Sequence, residues 1–149
     1  MAEDIQGLNA LIRRISQLAT DTKHVERPLK AAGAYMLGSI EKNFRAQGRP
    51  RKWKELAPST IRGRRRGKGR GSPRILIDKA RMKNQISFRV ISEPGVEIGL
   101  NAVQAARQHF GFPQGSGPGH AATPARPFLM FQQEDISEIQ NIFKRHLGF

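Results

Sequence analysis

Thirteen residues carry the densest chemistry in the chain. Arg62 to Arg74 reads RGRRRGKGRGSPR, with seven Lys/Arg, four Gly and no acid. Guanidinium and ammonium groups at this density meet phosphate oxygens without reading base sequence. The segment holds too little apolar surface to fold by itself, so 62–74 is expected to be a flexible loop. Three uses fit it: a nucleic-acid contact, a loop that orders on an assembly partner, and a solvated face. The candidate contact residues are Arg62, Arg64, Arg65, Arg66, Lys68, Arg70 and Arg74.

Other chemistries find less support. The histidines are His24, His109, His120 and His146, and none has a second ligand at a spacing such as H-E-x-x-H. Ser59 and Ser72 lie in basic, irregular sequence without the glycine pattern of a nucleophile elbow. Asp78, Glu97 and Asp135 are scattered singly, whereas acid–base catalysis needs converging groups. Gly67 to Ser72 lacks the order of a phosphate-cradling loop and has no strand before it. No catalytic residue, cofactor or metal is assigned, and the expectation is a protein that is not an enzyme.

The charge is concentrated. Residues 45–83 hold 15 Lys/Arg and two Asp/Glu, and the other 110 residues hold 11 and 10. A patch of this kind raises the local concentration of any polyanion. Nucleic-acid binders of single strands interleave aromatics with charge, and here Trp53 alone stands near the run. Non-specific DNA binding through 45–83 is therefore kept as the alternative function. The chain has no cysteine, which excludes disulfides and thiolate metal sites. No run approaches the roughly 20 apolar residues of a membrane span. With its acidic start, the chain is expected to be soluble and unexported.

The elements that must position these residues follow from periodicity. Ile5, Leu8, Leu11, Ile12, Ile15 and Leu18 form one helical stripe over 4–20. Leu29, Ala32, Met36, Leu37, Ile40 and Phe44 form another over 26–46, with Pro28 in its first turn. Gly33 and Gly38 are costly inside it, which predicts close approach of another backbone. Gln47-Gly48-Arg49-Pro50 is a helix stop. Pro58-Ser59-Thr60 begins a short turn through Ile61. Residues 85–91 and 96–100 alternate, with Ile86, Phe88 and Val90 on one face, and Glu93-Pro94-Gly95 turns between them as a hairpin. A short helix covers 102–109. Residues 111–123 form a Gly/Pro-rich flexible loop. Residues 127–131 read as a third strand or an extended anchor. A last helix runs over 134–147, acidic at its start and basic at its end, as the helix dipole favours. The result is one α+β domain over 1–149, with helices packed on a small antiparallel sheet.

Five pieces of this sequence, taken in order, resemble a known family. They are Phe44-x-x-Gln47-Gly48-Arg49-Pro50 with Trp53-x-x-Leu56; Pro58-Ser59-Thr60; Val96-Glu97-Ile98-Gly99; Ala105-Ala106-x-x-His109-Phe110-Gly111; and Pro124-Ala125-Arg126-Pro127-Phe128-Leu129. Together they resemble the phage virion-morphogenesis or tail-completion family of Mu- and P2-like contractile-tailed phages. Ala80 stands where that family usually has Gly. The resemblance implies a structural protein acting at the head–tail neck or the head-proximal end of the tail. It implies an architecture similar to neck connector and tail-terminator subunits, working as a homo-oligomeric ring. Its partners would be tail and neck or head proteins, with non-specific contact to packaged DNA. Its place would be the host cytoplasm during assembly and then the virion, with no membrane involved.

The motif residues also have plain structural readings. Gly48 and Pro50 stop a helix, Gly99 lies in the second alternating run, and Gly111 opens the Gly/Pro-rich loop. Trp53, Leu56, Phe110 and Phe128 read as core or interface plugs, and Phe44 belongs to the apolar stripe of its helix. His109 is expected to be a hydrogen-bonded structural residue. Arg126, held extended by Pro127, is expected to pair with Glu97 or Asp135.

Overall fold

The computed structural model of the chain describes residues 12–13, 22–66, 72–92, 94–113 and 122–148. Of the expected first helix, Ile12 and Arg13 are helical, and the rest lies outside the described residues. The described elements run in the order α1 (Thr22–Ala46), α2 (Pro58–Arg66), α3 (Arg81–Asn84), β1 (Ser87–Ile91), β2 (Gly95–Gly99), α4 (Ala105–Phe110) and α5 (Gln133–Leu147). β1 and β2 form a two-stranded sheet. The class is α+β, and the strands fall where alternation places them.

The chain divides into two compact units, the boundary crossing α1 between Leu37 and Gly38. The first comprises 1–37, 88–98 and 131–149. Val25, Leu29 and Ala32 of α1 and Phe143 of α5 are buried together, with Val90, Val96 and Ile139 packed against them. Helical and strand stripes thus close on one another, each burying the face its period dictates. Gly33 belongs to this contact, but not by backbone approach as expected. A Cβ there would stand 2.3 Å from the Phe88 ring, so the glycine makes room for an aromatic side chain. At Gly38 nothing lies within 4 Å of a Cβ position.

Asp135 anchors the start of α5. Its carboxylate accepts from the Gln132 backbone N–H at 2.7 Å and from the Tyr35 hydroxyl at 3.1 Å. An acid at this position satisfies a donor that the first turn leaves orphaned and complements the dipole. Burial, and then the bond to Asp135, raise the Tyr35 pKa above its ordinary value.

The second unit comprises 38–87 and 99–130. Here α1 ends as the Gly-Arg-Pro signal predicts. Gln47 and Gly48 take positive φ of 57° and 112°, and the Gly48 N–H returns to the Asn43 carbonyl at 2.9 Å. A Cβ on Gly48 would meet the Arg51 carbonyl at 2.5 Å and the Trp53 nitrogen at 2.6 Å.

Two expectations change in this unit, and one offered alternative is decided. The helix that begins at Pro58 does not stop at Ile61; α2 continues through Arg66, so Arg62, Arg64, Arg65 and Arg66 are helical rather than in a loop. Arginine is a strong helix former, and cations in the last turn suit the dipole. Residues 127–131 are the extended anchor and not a strand. Pro127 has no N–H to give a ladder, and the side chains of Trp53 and Asn43 take the carbonyls of Pro127 and Phe128 instead. The Gly/Pro-rich segment has a paired stem: Phe112 and Thr123 exchange N–H to carbonyl bonds of 2.7 and 2.8 Å. Residues 114–121 between them lie outside the described residues.

Candidate functional site

Four motif residues spread over 85 positions, Phe44, Trp53, His109 and Phe128, meet in the second unit. Phe44 and Phe128 are both fully buried, with ring centroids 5.5 Å apart. Trp53 stands edge-on to Phe44 at 5.7 Å, and its indole N–H donates to the Pro127 carbonyl at 3.3 Å. His109 is edge-on to Phe128 at 5.2 Å. Asn43, buried beside Phe44, donates to the Phe128 carbonyl at 3.0 Å and accepts from Arg49 at 2.9 Å. Asn43 was not singled out in the sequence. Its signal was a polar residue flanking the apolar stripe just before the helix stop.

Arg126 departs from its expected pairing. It is 5% exposed, and its guanidinium donates to the carbonyls of Lys54 at 3.0 Å and Glu55 at 3.3 Å and to Gln108 Oε1 at 3.3 Å. Glu97 is taken instead by Arg89 across the hairpin, at 2.7 and 2.9 Å, and Asp135 by the α5 cap. The extended backbone before Pro127 aims Arg126 at the 54–55 backbone, whose carbonyls no helix or sheet uses. Burial, and then the like charge of Arg64, hold the Arg126 guanidinium below its ordinary pKa, although it stays protonated.

His109 also differs from expectation. Its buried Nδ1 has no hydrogen-bond partner among the described residues. Burial lowers its pKa, which keeps the ring neutral. Phe110, its neighbour, is 77% exposed and so is no core plug. Gly111 follows at φ 77°, where a Cβ would meet the Ala125 nitrogen at 2.7 Å. Leu56 and Pro127 are half-buried, Pro50 is exposed, and Gly99 ends β2.

The basic run separates into roles. Arg64 Nη1 donates to the carbonyls of Ser72 at 2.8 Å and Arg74 at 2.9 Å, closing the segment between them. Arg74 reaches back to the Arg45 carbonyl at 3.2 Å. Arg62, Arg65 and Arg66 are exposed, while Lys68 and Arg70 lie outside the described residues. Arg64 also faces a cleft of about 1170 Å³, along with Lys54, Lys79, Arg81, Arg107 and Arg126. The second unit holds 18 Lys/Arg against three Asp/Glu.

The sequence model of the phage virion morphogenesis family matches residues 5–148. The chain belongs to the phage virion morphogenesis family. Membership gives it a role in building the phage virion. No curated protein and no solved structure matches it. In this family member, Ala80 takes the left-handed conformation, φ 56°, at the position where the resemblance led one to expect Gly. Among the described residues of this virion-morphogenesis protein, no three His, Asp or Glu are placed to hold a metal. No described helix is long and apolar enough to cross a membrane.

Proposed function

We propose that the protein is a structural subunit of the head–tail neck or the head-proximal tail end. It completes the tail or joins it to the filled head, through ring-type contacts between copies and with neighbouring virion proteins. The observation that carries this is Phe110. It is an aromatic of the family-like motif, exposed to solvent, on a helix whose adjacent His109 is packed against the buried Phe128. Aromatic residues are enriched at protein–protein interfaces relative to the rest of the surface. The family match, running through both compact units, supports treating 1–149 as one virion-morphogenesis domain. An architecture like that of neck connectors or tail terminators belongs to the same reading.

The test is electron microscopy of lysates from a phage carrying a nonsense mutation in this gene, with and without added purified protein. The reading expects DNA-filled heads separate from tails, converted to joined virions by the protein. Joined, infectious particles in its absence would overturn it.

A second reading rests on α2. Arg62, Arg65 and Arg66 are exposed, and the helix carries no acid. Such a face suits sequence-independent contact with DNA phosphates. A subunit surrounding a DNA path can have both roles.

A further inference from the structure

The cleft of the second unit contains a buried positive charge without a counter-charge among the described residues. Arg126 satisfies its N–H groups on neutral oxygens, two backbone carbonyls and the Gln108 amide. No carboxylate of the described residues pairs with it, and the charged group acting on it is Arg64. Arg64 is itself largely covered, with Asp78 only at 3.9 Å. A desolvated cation is stabilised by an anion brought to it. The walls add three exposed cations, Lys54, Lys79 and Arg81, against Glu55 and Asp78. Apolar residues also line the cleft, Ala57 exposed, Leu56, Ala80 and Pro124 half-buried, and Leu76 and Met82 buried.

We propose that this cleft receives an acidic peptide segment of a partner protein. Carboxylates of the segment face Arg126, Arg64 and the cationic walls, and its apolar side chains rest on Leu56 and Ala57. Charge complementarity selects an anionic occupant, and the apolar surface selects a peptide over a phosphate chain. A single nucleic-acid strand would need stacking platforms, and among the described residues no aromatic lines the cleft. Duplex phosphates are met by exposed arginines such as Arg62, Arg65 and Arg66 of α2, which do not line the cleft. The site is independent of where in the virion the protein acts.

The test uses fluorescence anisotropy of the full-length protein with a short fluorescein-labelled peptide of alternating Glu and Leu. Its Gln/Leu counterpart and a labelled duplex DNA are the comparison probes. Two charge-matched variants are compared, each losing three positive charges: K54Q/K79Q/R81Q in the cleft walls and R62Q/R65Q/R66Q on α2. Both sets lie on exposed positions, so folding is preserved and is checked by thermal melting. Expected is a rise in peptide Kd of about tenfold or more for the wall variant and about twofold or less for the α2 variant. R126Q, if its melting shows it folded, weakens the peptide at least as much as the wall variant. The proposal fails if both triple variants weaken the peptide equally, because net charge alone then explains binding. It also fails if the wild type does not prefer the Glu/Leu peptide over the Gln/Leu one. It fails in favour of a nucleic-acid cleft if the wall variant loses the duplex and not the peptide.

Discussion

The side-chain amide of Asn43 donates to the backbone carbonyl of Phe128 at 3.0 Å, across 85 residues of sequence and in a fully buried setting. This bond ties the end of α1 to the segment that presents Arg126. It also replaces the ladder partner that the carbonyl would have had in a strand. The ring of Phe128 then fills the space between Phe44 and His109.

Phe128→Ala empties that space and is expected to cost about 3–5 kcal/mol. Asn43→Ala leaves the Phe128 carbonyl buried and unpaired and is expected to cost about 1–3 kcal/mol. Urea denaturation of the purified variants gives both. A loss below about 1 kcal/mol for Phe128→Ala would mean the network is not part of the stable core.

Backbone conformation and space give opposite outcomes at two small residues. Ala80 sits at φ 56°, where a Cβ is strained, so Ala80→Gly is expected to stabilise by about 0.5–1.5 kcal/mol despite glycine's greater freedom when unfolded. Gly33→Ala forces a Cβ to within 2.3 Å of Phe88 and is expected to destabilise by about 1–3 kcal/mol. Melting temperatures moving in opposite directions are the readout.

His109 is held neutral by burial, its folded pKa below the unperturbed 6.5. Below that pH the unfolded chain binds the proton more readily, so stability is full above it and falls as the pH drops toward the folded value. Urea midpoints between about pH 7 and pH 5 are expected to fall for the wild type. The fall is expected to be smaller for His109→Leu. The carboxylates whose pKa values are lowered, Glu26 and Glu41 by lysines and Glu138 by Arg145, lose their ion pairs only in a more acidic window.

Phe110→Ala removes an exposed ring whose one aromatic contact among the described residues is with His109, at 4.7 Å. Its stability cost is expected to stay within about 1.5 kcal/mol. Rescue of a nonsense-mutant phage by the folded variant is nevertheless expected to fail. Full rescue would remove Phe110 from the assembly surface.

The exposed arginines of α2 should carry the duplex-DNA contact if the second reading holds. With about six phosphates neutralised, log K falls against log salt with a slope near −5. R62Q/R65Q/R66Q is expected to reduce that slope by about 3. An unchanged slope would assign the contact elsewhere.

The amino-acid sequence by itself determined the local elements. The stripe of α1, its Gly-Arg-Pro stop, the hairpin alternation and the dipole-matched charges of α5 act within a few residues, so their period and chemistry are readable in one dimension. The concentration of charge and the order of the five family-like motifs were equally legible. Tertiary structure alone decided where long side chains end. Arg126 found the carbonyls of Lys54 and Glu55, more than 70 residues away, instead of a carboxylate. Arg64 closed its own segment while Arg62, Arg65 and Arg66 stayed in solvent. Trp53 and Phe128 went inward and Phe110 outward, although all three are aromatic residues of the same motif set. Burial and partner choice depend on which backbone groups remain unpaired after the chain has packed, and no local pattern encodes that.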